Sequence, residues 1–88
     1  MEMMDAVRIR IRHYMNERNL TLTALAMLCG LTQSTLENIM ASRYQSTNIS
    51  TIKKICDGLE IDLPDFFSED LFSDLEPVGV KKIENAEG

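Results

Sequence analysis

Tryptophan is absent from these 88 residues, histidine occurs once, and cysteine and proline occur twice each. With only His13, and with Cys29 and Cys56 far apart, neither a zinc site nor a Cys–His catalytic pair has its ligands. Two such cysteines build no disulfide framework and suit a reducing, cytoplasmic setting. No apolar run approaches the roughly 18 residues of a membrane span. Met1 to Asp5 lacks the basic-then-apolar order of a signal peptide. A Ser–His–Asp set and a phosphate-cradling glycine loop are also missing, so no enzyme activity, metal or cofactor is expected.

What is present is ordinary in amount and uneven in placement. The hydrophobic fraction is 44% and the charged fraction 26%, values of a single soluble globular domain. The net charge is −5. Residues 1–54 carry seven basic side chains (Arg8, Arg10, Arg12, Arg18, Arg43, Lys53, Lys54) against four acidic ones, net +3. Residues 55–88 carry Lys81 and Lys82 against ten acids, net −8. An acidic total therefore hides a basic N-terminal half.

Periodicity divides the chain into five short helices. Residues 5–18 place Val7, Ile11, Tyr14 and Met15 on one face, with Arg8, Arg12 and Glu17 turned away from it and Asp5 as the expected N-cap. Asn19 suits the left-handed residue that ends a helix. Thr21 caps a second helix, Leu22 to Cys29, which Gly30 stops because glycine accepts positive φ without steric cost. Thr32 caps a third, Gln33 to Met40, with Leu36, Ile39 and Met40 inward and Gln33, Ser34, Thr35, Glu37 and Asn38 outward. Residues 41–48 are a polar loop. Ile49 or Ser50 opens a fourth helix, whose Ile52, Ile55, Cys56 and Leu59 fall at i, i+3, i+4, i+7. Asp62 caps a fifth from Leu63 to Phe67, where Pro64 fits the first turn. Leu71, Phe72 and Leu75 follow in an acidic segment, spaced for a further turn or two, and residues 77–88 read as a frayed tail. The expected division is a domain over residues 5–67, an acidic apolar extension over 68–76 and the tail.

Two short helices joined by a glycine turn form a helix-turn-helix unit. Thr21-Leu-Thr-Ala-Leu-Ala-Met-Leu-Cys-Gly-Leu-Thr-Gln-Ser-Thr-Leu-Glu-Asn-Ile resembles the motif of the lambda-repressor/Cro family of small bacterial and phage regulators. Ala26 stands where the two helices must touch, Gly30 at the turn, and Leu25, Cys29, Leu31, Leu36 and Ile39 at the apolar positions. Ile49-Ser-Thr-Ile-Lys-Lys-Ile-Cys-Asp-Gly-Leu and Leu63-Pro-Asp-Phe-Phe resemble the family's fourth and fifth helices. Where several members have a buried arginine–glutamate pair, this chain has Met15 and Met40. Where many have a helix-ending glycine it has Glu60, in a conformation that costs a non-glycine residue about 1 kcal/mol.

The resemblance implies an all-α, five-helix, lambda-repressor-like fold and a sequence-specific DNA-binding regulator, most simply a repressor. It implies that the first turn of helix 3 enters the major groove, with Gln33, Ser34, Thr35 and Asn38 as base-reading residues. Gln33 suits a bidentate contact to adenine. Arg43, Tyr44, Gln45 and Ser46, with Thr21 and Thr32, are the expected phosphate contacts, which position without reading sequence. One copy reads few base pairs, so a homodimer on a palindromic operator is expected. Leu71, Phe72 and Leu75 either fold back over the core or form the dimer contact. The alternative function is an antitoxin or protein-docking module, with the acidic C-terminal region facing a basic protein partner.

Overall fold

The computed structural model describes residues 1–41 and 46–77. Its elements are α1 (Met3–Glu17), α2 (Leu22–Cys29), α3 (Gln33–Met40), α4 (Ile49–Leu59), α5 (Leu63–Phe66) and a 3-10 turn at Asp70–Phe72. There is no strand among the described residues, and the protein is an all-α, five-helix fold.

Four of the five helices begin on a side-chain cap. The hydroxyls of Thr21 and Thr32 accept from the amides of Ala24 and Thr35, each at 3.1 Å. The carboxamide of Asn48 accepts from Thr51 N–H at 2.8 Å, and the carboxylate of Asp62 from Asp65 N–H at 2.9 Å. Each bond satisfies one of the amides that a helix start leaves without an internal partner. Gly30 closes α2 at φ 67°, while Asn19 and Glu60 take the same left-handed conformation at 54° and 60°.

Helix α1 departs from the expected start. It begins at Met3 rather than at Asp5, and its N-cap Glu2 makes no side-chain cap bond. Met4 is buried and Met3 packs on the core, so two more apolar residues join the buried stripe. Asp5 lies inside the first turn and pairs with Arg8 at 3.0 Å. Its charge there still suits the helix dipole.

Periodicity also misplaces Arg8, which is 7% exposed rather than turned to solvent; Arg10 is 6% exposed. Their guanidiniums reach carbonyls at the C-terminal ends of other helices. Arg8 Nε donates to Ile39 O at 2.6 Å, at the end of α3. Arg10 donates through Nε to Phe66 O at 2.8 Å and through Nη2 to Asp65 O at 2.6 Å, at the end of α5. It also donates to Glu69 at 2.9 Å and to the Tyr14 hydroxyl at 2.9 Å. Arg18 donates to Leu59 O, the last residue of α4. Two cations of α1 and the arginine at its C-cap thus bind the ends of three other helices, where the dipole is negative.

The core is sealed by Ile11, Leu25, Leu36, Ile39, Ile55, Leu59 and Phe66. Met15 and Met40 are partly buried and pack against it. Helices α2 and α4 pass so closely that a Cβ on Gly58 would lie 2.7 Å from Cys29 Sγ, 2.8 Å from Leu28 O and 2.9 Å from Cys29 Cα. Cys29 and Cys56 are both buried, and burial pushes the Cys29 thiol up to about 11. A thiol so disposed is a small hydrophobe and a poor nucleophile.

The segment after α5 folds back. Phe72 sets its ring edge-on to Phe67 at 4.9 Å, and Phe67 does the same to Phe66 at 4.9 Å. Leu71, Phe72 and Leu75 are half-buried, and Glu76 N–H donates to Met1 O at 3.0 Å. Phe72 packs against the core, and the 3-10 turn lies against α1.

Candidate nucleic-acid interface

The α2–turn–α3 segment is built by two caps, one glycine and one small contact residue. Thr21 starts α2, Gly30 ends it, and Thr32 starts α3 two residues later. Ala26 is buried, which lets the two helices meet without a large side chain between them. Beneath the turn, Leu31 packs on the core.

This frame presents the start of α3 outward. Gln33 and Ser34 are exposed; Thr35 and Asn38 are half-buried. Thr35 is drawn inward by its own cap, since Thr32 Oγ1 lies 2.7 Å from Thr35 Oγ1. Gln33 is held at both ends of its amide. Thr23 Oγ1 donates to Gln33 Oε1 at 3.1 Å, and Gln33 Nε2 donates to Glu37 Oε2 at 3.0 Å. The expectation names Gln33 but neither Thr23 nor Glu37. Thr23 could be found only by placing α2 against α3, whereas Glu37 is four residues on, a spacing that puts two side chains on one helix face.

Among the expected phosphate contacts, Thr21, Thr32 and Ser46 are exposed, and both threonines already serve as caps. Arg43, Tyr44 and Gln45 lie outside the described residues. Beside α3 is an open hollow of about 430 Å³ lined by Thr35, Ser46, Thr47, Asn48 and Thr51. Every side chain of that lining carries a hydroxyl or an amide, groups that bind phosphate oxygens and base edges alike.

The electrostatics differ from the simple picture of a basic N-terminal half. Arg8, Arg10 and Arg18 are tied to backbone carbonyls, and Lys53 is paired with Asp57. Arg12 and Lys54 remain as exposed cations among the described residues. The α3 surface itself is neutral apart from Glu37. No group of histidine, cysteine and acidic residues among the described residues is placed to hold a metal ion. No helix among them is long and apolar enough to cross a membrane.

Two capped helices meeting across a glycine turn, with the second one's first turn bared, define a helix-turn-helix domain. The chain matches the family model of the Cro/C1-type HTH DNA-binding domain over residues 10–68, and it belongs to that family. Compared with curated proteins and with solved structures, the chain matches none. The family is one of DNA-binding domains and supports a DNA-binding regulator.

Proposed function

We propose that this protein is a sequence-specific transcriptional regulator, acting as a repressor, that reads the major groove with α3. The observation that carries the proposal is the bared first turn of α3, where Gln33 offers a positioned amide and Ser34 a free-standing hydroxyl. A groove about 12 Å wide admits one such helix, and Gln33 carries the donor and acceptor that adenine N7 and N6–H require. Thr35 and Asn38 complete the reading set, and Thr21, Thr32, Arg43, Tyr44, Gln45 and Ser46 hold phosphates. Two copies of the domain on a palindromic operator supply the base pairs that one copy lacks.

Gln33→Ala is expected to weaken the preferred site by about 1–3 kcal/mol while leaving random DNA unaffected. Arg43→Ala is expected to weaken both alike and to lower the salt slope by about one. Titrations on specific and random duplexes at several salt concentrations read both effects. Equal losses from the two substitutions on both duplexes would remove Gln33 from the reading set.

A second reading, a protein-docking or antitoxin module, is favoured by one feature. A mainly apolar hollow of about 270 Å³ opens between the starts of α1 and α4, lined by Met3, Met4, Val7, Ser46, Thr47, Ile49, Ile52 and Phe67. Ile49 is 77% exposed at its rim. Every side chain lining the hollow beside α3 carries a hydroxyl or an amide instead, which is why DNA is the preferred partner for that face.

A further inference from the structure

Glu37 is an anion on a surface otherwise made of neutral polar groups. It is exposed, and it forms no ion pair among the described residues. A carboxylate brought toward duplex DNA is repelled by the phosphates unless a base edge gives it a proton donor. We infer that Glu37 is a further base-reading residue, selecting cytosine, and that Thr23 and Glu37 together fix the sense in which Gln33 reads its base. The inference rests on the DNA reading proposed above.

The chemistry of the triplet follows from its donors and acceptors. A carboxylate only accepts, so the Gln33 group 3.0 Å from Glu37 must be its NH2. The Gln33 oxygen then faces Thr23, whose hydroxyl donates to it at 3.1 Å. The amide cannot turn over without placing its oxygen against the carboxylate. One N–H and one oxygen lone pair of Gln33 remain, and these are the complement of adenine N7 and N6–H. Reversing the amide would reverse that match, so the latch selects one orientation of the A·T pair.

Glu37 keeps acceptor capacity after its bond to Gln33, since an ionised carboxylate offers about four lone-pair sites. In the major groove cytosine presents only the N4 donor. Guanine and thymine present acceptors, and adenine sets an acceptor beside its donor. Cytosine is therefore the base that a carboxylate accepts, and guanine and thymine are the bases it rejects. Glu37 lies four residues beyond Gln33, about 6 Å along the helix axis. With base pairs about 3.4 Å apart, its cytosine falls one or two pairs from the adenine.

The test is selection of bound sequences from a random duplex pool by the full chain, its Glu37→Ala variant and its Thr23→Val variant. The native chain is expected to enrich an adenine with a cytosine one or two pairs away. Glu37→Ala is expected to lose the cytosine preference by about five- to a hundredfold, to keep the remaining motif, and to bind random DNA more tightly. Thr23→Val is expected to relax the adenine position while the cytosine stays. A Glu37→Ala motif identical to the native one would overturn the inference and leave the DNA reading intact. A native chain that enriches no sequence would overturn both.

Discussion

Alanine at Arg10 is expected to lower the unfolding free energy by about 3–5 kcal/mol, and to do so from a position that periodicity assigns to no core. The guanidinium sits 4.7 Å over the Tyr14 ring and donates to Phe66 O, Asp65 O, Glu69 and Tyr14. Removing it leaves Phe66 O and the buried Tyr14 hydroxyl without that donor, each at about 1–3 kcal/mol when nothing replaces it, while Asp65 O keeps the Ser68 amide and hydroxyl. Whole domains of this kind are stable by only about 5–15 kcal/mol. Urea titration followed by circular dichroism measures the loss. Arg10→Lys keeps the charge but replaces a planar fork with one ammonium, which cannot meet all four acceptors, and is expected to recover less than half. A loss below about 1 kcal/mol in Arg10→Ala would mean that water replaces the guanidinium without cost.

The second large effect is expected at Gly58. In most helices Gly→Ala stabilises by up to about 1 kcal/mol. Here the added methyl would meet two backbone atoms and a sulfur at less than 3.0 Å. The helices α2 and α4 must separate, and a net loss of about 2 kcal/mol or more is expected. Adding Cys29→Ala removes only the sulfur, so Leu28 O and Cys29 Cα keep most of the conflict. Thermal melts of the three variants check this. A more stable Gly58→Ala would show that the two helices can part freely.

The parts of this fold legible in its amino acids are those decided locally. Thr21, Thr32 and Asp62 cap the helices expected of them because the accepting amide is three residues away. Gly30 and Glu60 take the left-handed conformation that the end of a helix demands. Asn48 belongs with these caps, yet in a polar loop it reads as one more loop residue. What stays hidden depends on distant chain. Arg8 looks like a solvated residue, and Arg10 is assigned to no face, until the carbonyls of Ile39 and Phe66, 31 and 56 positions away, are set beside them. Gly58 looks like a weakness in a helix until α2 crosses it. The interface divides in the same way. Gln33 and Ser34 are legible as the exposed start of α3, whereas the latch from Thr23 requires α2 and α3 to be docked.

The arginines of α1 and its C-cap also bear on how the chain finds its structure. The caps and the turn of α2 and α3 join neighbours in sequence, but Arg8, Arg10 and Arg18 close loops of 31, 56 and 41 residues. Closing such loops costs chain entropy before any bond forms. The docking of α1 is therefore expected late, after the folding transition state. Substitution of Arg10 should then accelerate unfolding while leaving the refolding rate nearly unchanged, a shift confined to one arm of the chevron. The helix that binds the assembly together at equilibrium would be the first to let go.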